Sequence, residues 1–136
     1  MKTILITGAS SGIGLATAQA FLADGWRVGA LARRADALAD LAASHENALA
    51  LPGDVTDFSL VEQAVAKMVA EWGRLDAVFN NAGIFTPQGT IDEIEPADWH
   101  NSVAVILTGM FITARAAFSQ MRRQYPQGGR IIIYGS

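Results

Sequence analysis

The chain has 136 residues, of which 51% are hydrophobic and 17% are charged, so it is apolar enough for a folded core and unlike an intrinsically disordered chain. Ten basic and thirteen acidic side chains give a net charge of −3, with no basic stretch that would favour nucleic acid or an anionic membrane as a partner. The absence of cysteine excludes a disulfide framework, a thiolate zinc site and a cysteine nucleophile. We expect one domain over residues 1–136, located in the cytoplasm, because no uncharged segment is long enough to span a bilayer and none is typical of a signal peptide.

Apolar segments of strand length alternate with amphipathic segments of helix length along the chain. Strands are predicted at 3–7, 27–32, 48–51, 75–80 and 131–134. Helices are predicted at 12–23, at 34–44, after a cap at Thr56 or Asp57, and at 96–124, where Pro96 suits a first helical turn. Nearly continuous apolar strands between helices are typical of a parallel sheet covered on both faces. With right-handed crossovers, this order predicts a doubly wound, Rossmann-like α/β domain.

The turn between the first strand and the first helix is rich in glycine and reads Thr-Gly-Ala-Ser-Ser-Gly-Ile-Gly over residues 7–14. Glycines allow positive φ and let a phosphate approach the backbone, while a helix N-terminus attracts an anion. Ser10 and Ser11 add hydroxyl donors. No lysine follows the turn, which argues against an NTPase phosphate loop. The alternative is a turn that needs glycine for its geometry alone.

Residues 7–14 resemble the cofactor signature of the short-chain dehydrogenase/reductase family, whose members bind NAD or NADP. Asp54-Val55 is similar to the adenine-contacting pair of that family, and the segment 80–83, Asn-Asn-Ala-Gly, to its second signature. The resemblance extends over residues 1–136 and implies five strands in the order 3-2-1-4-5. It also implies a set of cofactor contacts: Gly8, Ser10, Ser11, Gly12, Ile13, Gly14, Arg33, Arg34, Asp54, Val55, Asn81, Ala82 and Gly83.

The end of the second strand bears on the choice between NAD and NADP. A carboxylate there would bind the ribose hydroxyls and repel a 2′-phosphate, but this chain has Ala32, followed by Arg33 and Arg34. Guanidinium groups suit a phosphate dianion, so the sequence favours NADP over NAD. The alternative is a pair of solvated arginines at a helix start. Asp54 has a similar alternative as a plain turn residue.

The resemblance also implies which catalytic groups to look for. The family uses a serine, a Tyr-x-x-x-Lys motif and an asparagine in the long helix, and the serine aligns with Ser136. Neither Tyr125 nor Tyr134 is followed by lysine four residues later, and Ile106 stands at the asparagine position. We therefore expect a chain truncated before the catalytic motif that does not turn over substrate. We also expect Ile106 to restore an ordinary α-helical hydrogen-bond ladder.

The predicted fifth strand would be an apolar edge without a neighbour, which favours self-association. We expect a homodimer or larger assembly through this edge or the long helix. A second interpretation of the whole chain is therefore a natural or engineered truncation that serves as a non-catalytic, self-assembling α/β domain. Asn80 would either brace the end of its strand or touch the cofactor. His45 and His100 lack partners at metal-ligand spacing, so no metal site is expected.

Overall fold

The computed structural model describes residues 1–83 and 88–134, and its elements follow the predicted alternation closely. The strands are β1 (Thr3–Thr7), β2 (Arg27–Ala32), β3 (Ala48–Pro52), β4 (Ala77–Asn80) and β5 (Arg130–Ile133). The helices are α1 (Gly12–Ala23), α2 (Ala35–Ser44), α3 (Phe58–Trp72), α4 (Pro96–Ser102) and α5 (Gly109–Arg123), with a short 3-10 turn at Ile91–Glu93. A π-helical turn, Val103–Thr108, joins α4 to α5.

All described strands pair in parallel in one sheet of order β3-β2-β1-β4-β5, which confirms the predicted doubly wound fold. This order places the first two crossovers on one side of β1 and the later ones on the other. The connections that leave the carboxyl ends of β1 and β4 therefore diverge at the centre of the sheet. The crevice between them is where doubly wound proteins bind ligands.

Helices cover the sheet on both faces, and each face has its own apolar core. On one face, α1 and α2 pack against side chains such as Ile4, Ile6 and Val28. On the other face, α3 and α5 pack against alternate residues such as Leu5 and Val78. Because successive strand residues point to opposite faces, a strand buried on both sides is apolar along its length, as β1 is between its two terminal threonines.

Strand β4 begins two residues later than predicted, at Ala77 rather than at Leu75. The reason is that Leu75 bonds to a side chain instead of a neighbouring strand, whereas the Asp76 N–H already bonds to the Thr3 carbonyl at 3.1 Å. Leu75 N–H donates to Gln124 Oε1 at 3.0 Å, and the Leu75 carbonyl accepts from Gln124 Nε2 at 2.8 Å. Asp76 in turn accepts the Thr3 N–H at 2.9 Å. This network joins the start of β4 to the end of α5.

The expectation that Ile106 restores a regular α-helix is wrong. Residues Val103–Thr108 form a π-helical turn, and Gly109 N–H bonds to the Ala104 carbonyl five residues back. Contacts on either side of position 106 hold this geometry. Val105 is buried, and a Cβ on Gly109 would lie 2.6 Å from Val55 Cγ2, so the helix approaches the loop after β3 more closely at Gly109 than a larger residue allows without a shift of Val55. The ladder is thus determined by tertiary packing rather than by the residue at 106.

The helical stretch Pro96–Arg123 is 28 residues long and includes an 18-residue window of mean hydropathy 1.6. By length and composition alone it passes the test for a membrane span, as the core helix of a globular protein also does. Here one side of α5 contacts β4, β5 and α3 and is buried, whereas Leu107, Phe111 and Phe118 on the rest of the helix are exposed. The described contacts are those of a helix covering a sheet.

Strand β5 forms an edge: among residues 1–83 and 88–134 it pairs only with β4. Ile132 and Ile133 are exposed, as the sequence predicts for an edge without a neighbour. On the α1 face, Phe79 of β4 is buried and its ring contacts that of Tyr134 at 6.2 Å between centroids.

Candidate nucleotide-binding cleft

The glycine-rich turn after β1 is folded back on itself so tightly that two of its glycines touch. A Cβ on Gly14 would overlap the Gly8 carbonyl and lie 2.8 Å from Asn81 Nδ2. Gly8 and Gly12 have φ of 65° and 54°, in the left-handed region that glycine adopts without steric cost. Apart from its neighbours in sequence and the backbone of its own helix, no atom of residues 1–83 and 88–134 lies within 4 Å of the place that a Cβ on Gly12 would occupy, so the outer side of this glycine is open.

Helix α1 begins directly behind this turn, and no side chain among the described residues caps it. Ser11 is the N-cap residue, yet its hydroxyl makes no capping hydrogen bond. The first N–H groups of a helix have no partner within the helix, and they carry the positive end of its dipole. With no side chain capping α1, these N–H groups are available to an anion placed against the turn.

Thr7 connects the turn to the segment that follows β4. Its buried hydroxyl oxygen accepts hydrogen bonds from Asn81 N–H and Ala82 N–H, both at 2.9 Å. The Asn81 side chain also lies against Gly8: its Nδ2 is 3.1 Å from the position that a Cβ on Gly8 would occupy. The loops after β1 and β4 are therefore held at a fixed separation, where the strand order reverses.

The segment after β2 brings positive charge to the neighbouring position. Ala9 N–H bonds to the Leu31 carbonyl at 3.3 Å, which holds the glycine turn beside the end of β2. Ala32, at the position where a carboxylate would bind ribose hydroxyls, is followed by the exposed Arg33 and Arg34. Arg34 Nη2 lies 3.7 Å from Asp36 Oδ2.

The loop after β3 and the π-helical turn complete the cleft. Asp54 Oδ1 accepts the Thr56 N–H at 2.9 Å. Asp54 therefore stabilises a turn, as the alternative interpretation of this residue predicts, and it also lines the cleft. Gly53 N–H bonds to the Ala32 carbonyl at 2.8 Å and holds this loop beside Arg33. Val55 contacts the long helix at Gly109.

Together these segments enclose an open cleft of about 550 Å³, within the usual range for small-molecule sites. The structure brings together eleven of the thirteen predicted cofactor residues as its lining: Gly8, Ser10, Ser11, Ile13, Arg33, Arg34, Asp54, Val55, Asn81, Ala82 and Gly83. Gly12 and Gly14 do not line it: Gly14 packs inward on Gly8, and Gly12 lies between the lining residues Ser11 and Ile13.

Four lining residues were not in the predicted set of cofactor contacts: Leu31, Ala32, Gly53 and Val105. Gly53 could have been predicted, because it directly follows β3 and the carboxyl ends of parallel strands share one edge of the sheet. Val105 gave no such signal. It lies in an apolar helical segment, and only the π-helical turn and the packing of Val55 explain why it reaches the cleft.

Two further predicted residues lie elsewhere. Asn80 is fully buried and does not line the cleft; its Nδ2 donates to the Met110 carbonyl at 2.9 Å, so it braces α5. Ser136 lies outside the described residues. Within residues 1–83 and 88–134, no group of three or more His, Asp or Glu side chains is arranged to hold a metal ion.

The family model for short chain dehydrogenase matches residues 2–136. The chain belongs to the short-chain dehydrogenase family. Members of this family are oxidoreductases with an NAD(P)-binding Rossmann fold.

Individual short-chain dehydrogenases align with most or nearly all of this chain. Serine 3-dehydrogenase of Agrobacterium fabrum is 38% identical over 109 residues, which are 79% of this chain and 44% of that protein. Trans-4-hydroxycyclohexanecarboxylate dehydrogenase of Sinomonas cyclohexanicum is 34% identical over 99% of this chain and 54% of its own length. The structure of a 3-ketoacyl-(acyl-carrier-protein) reductase from Brucella melitensis complexed with NADH superimposes with a TM-score of 0.94, at 28% identity, over 99% of this chain and 57% of that one. The chain thus spans about half the length of these relatives.

Proposed function

We propose that these 136 residues are the cofactor-binding portion of an oxidoreductase that uses NADP(H) to interconvert an alcohol and a carbonyl compound. The observation that carries this proposal is the cleft itself. It combines the uncapped N-terminus of α1, which suits a pyrophosphate, with two arginines at the end of the adjacent strand. The relatives named above are dehydrogenases and a reductase, which fits the proposed reaction class.

The preference for NADP over NAD rests on charge at the end of β2. Ala32 supplies no carboxylate to accept hydrogen bonds from the adenosine ribose or to repel a 2′-phosphate. Arg33 and Arg34 offer guanidinium donors, whose planar geometry matches a phosphate. Binding of NAD(H) with equal or greater affinity is the competing possibility, and the Brucella relative with bound NADH makes it worth testing directly.

We further propose that the 136-residue chain by itself binds the cofactor without turnover. Tyrosine ionisation assisted by a nearby lysine is the acid–base device that the family resemblance implies, and the sequence contains no Tyr-x-x-x-Lys. Ile106 adds a second departure, since an aliphatic side chain at that position cannot relay a proton.

A titration with matched tryptophan variants tests binding at this cleft. Ser11 lines the cleft, is exposed and makes no capping bond, so Ser11→Trp should obstruct the cleft at little cost in stability. Ser44, exposed at the end of α2 and absent from the cleft lining, provides the control Ser44→Trp. We expect NADPH fluorescence to report saturable binding to the unchanged chain and to Ser44→Trp, and at least tenfold weaker binding to Ser11→Trp. Equal affinities in all three would place the site elsewhere, and no binding by the unchanged chain would refute the proposed function.

The same samples test turnover. Mixing the saturated complex with aldehydes and ketones should leave the NADPH absorbance unchanged if the chain is not catalytic. A steady, protein-dependent loss of absorbance would contradict this part of the proposal while leaving cofactor binding intact.

A second candidate property, self-association, is favoured by a separate surface. The exposed side of α5 and the edge strand β5 border an apolar groove of about 490 Å³, lined by Phe111, Ala114, Arg115, Phe118, Ser119, Arg122 and Ile131. Exposed phenylalanines beside an unpaired strand edge are typical of a contact surface. We propose that copies of this chain associate through it as a homodimer or a larger assembly. Light scattering at tens of micromolar should give a mass above 14.4 kDa, and a strictly monomeric mass would refute the idea.

A further inference from the structure

We infer that the interface between β4 and α5 contains a binding site for one buried water molecule, formed by Asn80 and Thr113. The site is separate from the cleft, since neither residue lines it, and it does not depend on the proposed function. Both residues are fully buried, so a molecule that joins their side chains must be as small as water and able to hydrogen-bond.

Two buried polar atoms of this interface lack a protein partner. Asn80 Oδ1 and Thr113 Oγ1 make no hydrogen bond with any residue in the ranges 1–83 and 88–134. Such atoms are uncommon in folded proteins, because burial removes their bonds to solvent and leaves nothing in exchange. Ser102 Oγ is a third such atom, but Ser102 ends α4 and lies about three helical turns before Thr113.

One hydrogen bond places Asn80 beside Thr113. Asn80 Nδ2 donates to the Met110 carbonyl at 2.9 Å, so the amide group lies against α5 at that turn. Helical carbonyls point toward the C-terminus of their helix, and Thr113 comes three residues after Met110 on the same side of α5. Because Nδ2 faces Met110, Oδ1 of the same amide is directed away from that carbonyl. A water molecule between Oδ1 and the Thr113 hydroxyl bonds to both.

The Thr113 hydroxyl is not bonded to its own helix. A helical threonine commonly donates to the carbonyl four residues back, as Thr17 Oγ1 does to the Ile13 carbonyl at 2.7 Å. Thr113 makes no such bond with the Gly109 carbonyl. Its hydroxyl is therefore available for a bond across the interface with β4.

A single water molecule satisfies both side chains. It donates one hydrogen to Asn80 Oδ1, which can only accept, and its oxygen accepts the hydroxyl hydrogen of Thr113. Buried waters bind in this way to polar groups that otherwise have no partner. The water extends the direct bond between Asn80 and Met110 by one helical turn, so that α5 is held to β4 just beyond the π-helical turn.

The sign of a stability change tests the inference. Thr113→Val replaces the hydroxyl with a methyl group of similar size. Removing a hydroxyl that has no partner would raise Tm, because an unsatisfied buried group is lost. Removing one that binds the water leaves Asn80 Oδ1 and the water less well bonded, and we expect Tm to fall by about 3–6 °C. Thr17→Val is the matched control: it removes a hydrogen bond that is exposed to solvent, and Tm should change by less than about 2 °C.

A high-resolution crystal structure of the unchanged chain tests the site directly. We expect one peak of electron density within hydrogen-bond distance of both Asn80 Oδ1 and Thr113 Oγ1. The inference would be overturned by a direct bond between the two side chains, by a Thr113 hydroxyl turned onto the Gly109 carbonyl, or by the lack of a peak. A Tm of Thr113→Val that rises, or falls no further than that of Thr17→Val, would also overturn it. Nucleotide affinity has no part in either measurement, so this inference and the proposed function can fail independently.

Discussion

Gly12 and Gly25 form a matched pair that tests whether the turn after β1 holds the cofactor. Their φ values are 54° and 87°, and within the described part of the chain no atom beyond the local backbone lies within 4 Å of a Cβ built on either residue. Replacing either glycine with alanine thus imposes the same kind of backbone strain without a steric clash. The two differ in location, because Gly12 lies between the cleft residues Ser11 and Ile13, whereas Gly25 follows the far end of α1.

The cost to folding should be the same for both substitutions. A left-handed backbone costs an L-residue roughly 1–2 kcal/mol. The lower entropy of alanine in the unfolded chain offsets about 0.4–1 kcal/mol of this. Each variant should therefore lose about 1 kcal/mol in free energy of unfolding, which corresponds to a fall of about 3 °C in Tm for a chain of this size.

The effect on cofactor binding should differ sharply. A methyl group on Gly12 would occupy the open side of the turn. Although Gly12 itself does not line the cleft, its neighbours Ser11 and Ile13 do, and we expect a pyrophosphate to approach the backbone beside this methyl group. We expect Gly12→Ala to weaken NADPH binding at least tenfold, about 1.4 kcal/mol, and Gly25→Ala to stay within twofold of the unchanged chain. Urea denaturation supplies the stability and fluorescence titration the affinity. Equal affinities of the two variants would show that the turn is glycine-rich for its geometry alone.

Three further substitutions test what holds the cleft and the helix beside it. Thr7→Val leaves the N–H groups of Asn81 and Ala82 without their acceptor and should lower the free energy of unfolding by about 3 kcal/mol in urea denaturation. Gln124→Ala removes three hydrogen bonds to backbone groups and should cost about 2–3 kcal/mol in the same assay, whereas the control Gln127→Ala removes one exposed bond and should cost under about 1 kcal/mol. Ile106→Asn should keep the π-helical turn in a crystal structure and cost about 1–2 kcal/mol of apolar burial; a straight α-helix there would contradict our explanation of the turn.

Much of the cleft was predictable because one geometric rule places it. In a parallel sheet all carboxyl strand ends share an edge, so the glycine turn, the two arginines and Asp54 must lie near one another once the strands are recognised. The same rule applies to Asn81, which follows β4. Strong local signals at each strand end were therefore enough to predict their assembly.

The features that could not be predicted depend on contacts between distant segments. The π-helical turn is held by the packing of Gly109 against Val55 and by the hydrogen bond from Asn80 to the Met110 carbonyl. Neither contact has a signature in the residues 103–108 themselves. Similarly, the late start of β4 reflects bonds to Gln124, which lies 49 residues away.

The cleft and the exposed edge of the sheet are structurally separate, and one substitution tests that separation. None of the described cleft residues belongs to β5, so blocking β5 should leave cofactor affinity unchanged. Ile133 is 65% exposed on this edge, and a lysine there opposes strand pairing between chains. We expect Ile133→Lys to lower the mass measured by light scattering and to keep the NADPH dissociation constant within twofold. A loss of affinity together with the loss of mass would mean that association shapes the cleft, and that a single copy does not bind the nucleotide by itself.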